Sequence, residues 1–229
     1  MGFLYDLIFP IICVMVIFES LEWLVHYVNP EDIDPILIRL DYLIFSGHPM
    51  ILLERIMSPL LTDILQLAYL SYYFLPITLG IVLNNRRREF DRSLFLVLFC
   101  FYLCYLGYIL MPALGPRYAI THLQTTELQG LFVAEPIQRF LDQLEGIKRD
   151  AFPSVHTAIA SIVLYLAHRF KRRLFWVFLP VVPALIFSTV YCRYHYVVDV
   201  MGGFGVTILT IFLGERYYEW WLGGRGERI

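Results

Sequence analysis

Six long apolar runs constrain this chain more than any other feature. They lie at roughly 3–25, 60–83, 93–112, 153–168, 174–192 and 197–214. Each approaches the ~20 apolar residues an α-helix needs to cross bilayer hydrocarbon, the fourth and sixth being somewhat short. A short span is tolerable where its start sits in a cavity, because polar backbone at membrane depth must be buried in protein or line water. With 59% hydrophobic residues, 17% aromatics and a mean hydropathy of +0.63, the composition is too apolar for a soluble domain of this size. The expected fold is therefore all-α, a six-helix integral membrane bundle in one domain, 1–229.

Charge distribution orients the bundle, although the net charge of −2 is uninformative. Arg86, Arg87, Arg88 and Arg92 follow the second run, Arg169, Lys171, Arg172 and Arg173 follow the fourth, and Arg216, Arg225 and Arg228 lie in the tail. Longer loops on the other side carry fewer cations: Arg39, Arg55, Arg117, Arg139, Lys148, Arg149 and Arg193. By the positive-inside rule both termini are cytoplasmic, and the loops at 26–59, 113–152 and 193–196 face the periplasm, the cell exterior or a lumen. A bacterial inner or plasma membrane is the expected location. The arginine clusters are topology signals, not nucleic-acid surfaces.

The N-terminus has no Lys or Arg before its apolar core, so it reads as a first span and not a cleaved signal. Asp6 occupies the Ser/Thr position that a myristoylation motif on Gly2 requires. Cys13, Cys100, Cys104 and Cys192 have neither zinc-like nor disulfide-framework spacing, and Cys100 and Cys104 pack as small apolar residues. Residues 36–58 and 131–144 mix apolar and charged positions. In the second, Val133, Ile137, Phe140, Leu141 and Leu144 oppose Glu135, Arg139 and Asp142. Both are expected to lie in the interface, guiding a lipid or capping the bundle. Trp220, Trp221, Tyr217 and Tyr218 are expected in an inner aromatic belt.

Ionisable residues at membrane depth are costly and mark function. Arg117 follows the third run in "PALGPRY", His156 opens the fourth in "DAFPSVHTA", and Arg193, His195 and Asp199 open the sixth in "CRYHYVVD". All are expected on one side of the membrane. Two histidines can divide the work of nucleophile and general acid. His195 and Asp199, four apart on one helix face, allow the carboxylate to hold one ring nitrogen protonated and leave the other to attack. Arg117 and Arg193 offer guanidinium forks, and Ser154 with the free N–H groups of a helix start favours an anion. Such positioning and charge suit phosphoryl transfer. His195 and Asp199 would also suit half a metal site, but no partner motif completes it, so neither a metal nor a cofactor is expected. His26, His48, His122 and His168 are read as packing residues. The inner half of the spans has almost no ionisable group, which disfavours a transporter or scaffold.

These residues resemble the type 2 phosphatidic acid phosphatase superfamily over roughly 60–214, the expected catalytic core. Arg117 in "GPRY" stands for the first motif, Pro153-Ser154-Val155-His156 for Pro-Ser-Gly-His, and His195 with Asp199 for His-x-x-x-Asp. The resemblance implies that His195 forms a phosphohistidine, that Asp199 orients it, and that His156 protonates the leaving oxygen. Leu110 replaces the first-motif Lys, Val155 the second-motif Gly, and Thr189 the third-motif Arg, a role left to Arg193. These departures resemble the inositol phosphorylceramide synthase-like branch. The implied activity is removal of phosphate from a membrane lipid. The alternative is headgroup transfer to a hydroxyl, and the implied partners are a lipid phosphate and the bilayer. Nothing in the sequence sets the oligomeric state.

Overall fold

A computed structural model describes residues 2–144 and 148–224. The side chains of His26, Asp142 and Leu144, and the tail residues Arg225 and Arg228, lie outside the described residues. The chain runs through α1 (Gly2–Val28), α2 (Asp34–Phe45), α3 (Pro49–Leu53), α4 (Pro59–Leu70), α5 (Phe74–Leu83) and α6 (Arg87–Leu110). It continues through α7 (Pro116–Ala119), α8 (Ala134–Leu144), α9 (Val155–Phe170), α10 (Arg172–Tyr191), α11 (Val197–Leu209) and α12 (Glu215–Gly224). No strand occurs among the described residues, and the molecule is the all-α bundle its apolar runs predict.

Five helical stretches are long and apolar enough to cross a membrane: Tyr5–Val25, Pro59–Leu83, Arg87–Leu110, Arg172–Tyr191 and Val197–Gly223. The last has 27 residues and is not the short span that its sequence run at 197–214 suggested. A π-turn at Thr210–Gly214 carries α11 into α12 and extends the run by a further nine residues. The remaining expected span, α9, has 16 residues, or ~24 Å at 1.5 Å per residue, against a hydrocarbon core of ~30 Å. It is short because it is central. Ala158, Ile159, Ile162, Val163 and Leu166 are all fully buried, as a helix that is apolar on every face requires. Around it pack α5, α6, α10 and α11. Cys100 and Cys104 are free and buried in this core.

The segment read as interfacial at 36–58 folds as α2 and α3, which meet at 59°. α2 is polar on its inner face. Asp34, Leu37 and Asp41, on one helical stripe, are buried, whereas Ile36, Tyr42, Leu43 and Ile44 are exposed. Its acids are drawn inward because loop amides there need acceptors. α8 lies against α4, with Leu141 buried, while Phe140 of the same expected apolar face is exposed.

The arginine clusters gather at the end opposite the three motifs. Arg92 pairs with Glu215 and Glu219, and Arg169 pairs with Glu215 and donates to Tyr165 at 2.9 Å. This network ties α6, α9 and α12 together. Trp220, Trp221 and Tyr217 are exposed as a belt would be. Tyr218 is not: it turns inward, with Arg92 5.4 Å above its ring.

Candidate active site

The second motif is an N-cap. Ser154 is fully buried, and its Oγ accepts from the Thr157 N–H at 3.3 Å and from Thr157 Oγ1 at 3.1 Å. Its own N–H donates to the Asp199 carbonyl at 3.0 Å, which joins the start of α9 to the start of α11. Gly203 permits this contact, since a Cβ there would lie 2.6 Å from the Ser154 carbonyl oxygen. Ser154 therefore caps the helix through the lone pairs of its Oγ.

The third motif is aimed by the end of α10. Arg193 sits in the left-handed region at φ 65°, its N–H bonds Val190 O at 3.1 Å, and Tyr194 N–H bonds Thr189 O at 2.9 Å. That is a Schellman ending with arginine where glycine is usual. The strain is held by the side chain. Its guanidinium donates to Glu54 at 2.8 Å, Gln124 at 3.0 Å and the Thr126 carbonyl at 2.6 Å, and is 7% exposed. Burial draws this guanidinium below its usual pKa, while Glu54 opposes that shift. Arg193 was expected on the phosphate. It is instead built into the loop, because the backbone turn points it at Glu54.

His195 and His156 meet 39 residues apart in sequence, with His156 Nδ1 3.2 Å from His195 Nε2. His195 Nδ1 lies 2.9 Å from the Ala151 carbonyl. A carbonyl can only accept, so Nδ1 carries the proton and Nε2 presents its lone pair. The spacing-based expectation assigned that hydrogen bond to Asp199. Asp199 Oδ2 instead stands 3.5 Å away and accepts the Tyr196 N–H at 2.8 Å in a capping box. Helical geometry sends an N3 carboxylate back to its own N-cap, and the carbonyl before the second motif takes the imidazole. Burial pulls His195 down to a pKa of about 4, against the opposing influence of Asp150 and the Ala151 carbonyl. The ring is neutral at pH 7. Tyr69 and Tyr72 flank His156 at 4.5 and 4.3 Å between ring centroids. Tyr194 stacks on Tyr69 at 4.3 Å.

Gly115, at φ 83°, turns the first motif, and Arg117 two residues later lies 5.8 Å over Tyr194, whose ring stacks on the Tyr69 that flanks His156. Arg117 also approaches the ring of Tyr118, at 5.7 Å, as does Lys148 at 5.6 Å. Two cations therefore share this aromatic wall. Among the described residues no group of three or more His, Cys, Asp or Glu is placed to hold a metal ion.

Sequence reasoning missed the acids that set this frame. Asp34 accepts from the Leu114 and Gly115 amides at 2.7 and 2.9 Å and from Tyr196 Oη at 2.9 Å. Asp41 accepts from Val197 and Val198 at 3.1 and 2.9 Å, the first amides of α11. Asp63 accepts four consecutive amides, Leu131 to Ala134, where α8 begins. A sequence signal, an acid with no basic neighbour inside an apolar run, exists for Asp63 alone; Asp41 lies two residues from Arg39 and Asp34 stands among other acids.

The geometry brings His156, His195 and Asp199 together, with Ser154 at the adjacent N-cap, sets Arg117 over the neighbouring Tyr194, and ties Arg193 to Glu54. No curated protein and no solved structure matches the chain. A family model does, over residues 36–213, which includes most of α2 and all three motifs. The chain belongs to the PAP2 superfamily, the type 2 phosphatidic acid phosphatases and their relatives, whose members act as phosphatases or phosphotransferases.

Proposed function

We propose that this protein is a membrane lipid-phosphate phosphatase that works through a phosphohistidine, without a metal, from the non-cytoplasmic face. The observation that carries the reading is the His156–His195 contact at 3.2 Å, with His195 Nδ1 anchored on Ala151. His195 Nε2 is thereby the nitrogen left to attack. The phosphoryl group enters between the rings and replaces their mutual hydrogen bond. The P–N bond forms as the bond from phosphorus to the lipid oxygen breaks, and His156, protonated in this complex, gives its Nδ1 proton to that oxygen. Neutral His156 then takes a proton from water. The water oxygen attacks phosphorus, phosphate leaves, and His195 is restored.

Arg117 is the fork that meets the phosphate oxygens, and Lys148 adds charge where the first-motif Lys is absent. Asp199 acts by holding the turn that carries His195. The arginine clusters at the opposite end support a cytoplasmic location for that end and an outward-facing site. The test is release of inorganic phosphate from mixed lipid phosphates by purified protein in EDTA, absent in His195→Ala. If phosphate never appears but a new lipid forms when a polar hydroxyl acceptor is added, the enzyme is a transferase. If EDTA abolishes release, the metal-free reading falls.

A further inference from the structure

A cavity of 360 Å³ begins at His156 and Asp150 and runs away from them between α1, α5 and α6. Its α6 wall extends from Tyr105 to Phe90 and its α1 wall from Glu19 to Leu7. At 1.5 Å per residue these walls are about 22 and 18 Å long, deeper than one leaflet of a ~30 Å hydrocarbon core. Polarity along the groove is graded. Glu19, Asp150 and His156 stand at the motif end, and almost everything below them is apolar. The far end closes where Leu7, Gly80 and Phe90 meet, since a Cβ on Gly80 would lie 2.9 Å from Leu7 and 3.5 Å from Phe90. A single long and narrow apolar path of this kind suits one extended hydrocarbon chain.

We propose that this groove holds a single hydrocarbon chain of the lipid whose phosphate lies at His195, and that α1 serves as the wall that measures it. This deepens the phosphatase reading and rests on it for the headgroup alone. Continuity with His156, whose ring lies 3.2 Å from His195, identifies the occupant, because a lipid phosphate has its charge and its chain in this same order. The bilayer is as apolar as the groove, so burial of the chain supplies little net driving force. What the groove supplies is orientation. Its signature is therefore selectivity among chains and not tight binding. A second cleft between α9, α10 and α11, lined by Leu164, Phe187 and Phe204, does not reach the histidines. It is the competing location.

Two experiments decide the matter. The first uses His195→Ala protein and an alkyl phosphate carrying a diazirine at the chain end, so no turnover is needed. The expected photoadducts lie on α1 or α6 near Leu7 and Phe90. Adducts confined to the α9–α11 cleft, or spread over all lipid-facing helices, overturn the proposal. The second compares hexyl with hexadecyl phosphate in the wild type and in Ile11→Trp and Leu98→Trp, which fill the middle of the groove. The ratio of long- to short-chain kcat/KM should fall by about tenfold or more. An equal fall for both chains would overturn the groove while leaving the phosphatase reading intact. If neither phosphate is hydrolysed by wild type, the phosphatase reading fails, and the adduct map still decides the groove.

Discussion

Replacing Gly203 by alanine tests how closely the two histidine-bearing helices must approach. The new Cβ would lie 2.6 Å from the Ser154 carbonyl oxygen and 2.8 Å from Thr157 Cβ. Carbon contacts are comfortable at about 3.5–4.0 Å, so α11 must retreat from α9 by nearly 1 Å. Neither obstacle is the end of a flexible side chain. Overpacking of this kind costs about 1–3 kcal/mol, which for a chain of this length lowers Tm by about 2–12 °C. The retreat also stretches the Ser154 N–H to Asp199 carbonyl bond and parts His195 from His156. A misplacement of about 1 Å can cost about 10²-fold in rate. Gly205→Ala is the control: its Cβ meets nothing within 4 Å, and alanine there should be neutral or stabilising by about 0.5–1 kcal/mol. The assay is a thermal melt of both variants in detergent alongside kcat/KM on a soluble phosphate ester. If Gly203→Ala melts and turns over like wild type, or Gly205→Ala is equally damaged, the close approach is not what holds the pair.

Burial of His195 predicts an acid limb of kcat/KM near pH 4 instead of the ~6.5 of an ordinary imidazole. Between those values the unfolded ring binds a proton that the folded ring refuses. Stability should therefore be complete above pH 6.5 and fall by about 3 kcal/mol as pH drops to 4; a limb at pH 6 or above would contradict the buried, neutral nucleophile. Arg193→Ala should destabilise by about 1–3 kcal/mol through the lost hydrogen bonds to Glu54, Gln124 and Thr126, Glu54 keeping those from Thr125, with KM nearly unchanged in the protein that survives. Arg117→Ala should lower kcat/KM by about 10²-fold or more with little change in Tm; the opposite pattern would restore Arg193 to the phosphate. Asp41→Ala strips the acceptor from two amides at the start of α11. It should cost about 1–3 kcal/mol in a denaturation series, and no loss would mean that the cap contributes nothing.

Much of the fold was legible because its signal is local. Runs of apolar residues predict membrane helices wherever they end up, and the order Arg117, His156, His195, Asp199 follows from motif spacing alone. Roles that depend on a partner far along the chain were not legible. Nothing in "CRYHYVVD" says that Glu54, 139 residues earlier, occupies the arginine. Nothing in "HYVVD" says that the carbonyl of Ala151 holds the imidazole while Asp199 turns back to its own N-cap.

By itself, then, the sequence determined the class of solvent, the all-α character and the chemistry available at one end. Each of these is decided by composition and short-range spacing. Tertiary structure alone decided which groups receive the protons, that Arg193 is tied to Glu54, and that a groove runs from His156 into the apolar interior. Those depend on hydrogen-bond acceptors and helix faces brought together over many tens of residues, where any of several polar neighbours would have satisfied the local pattern equally well.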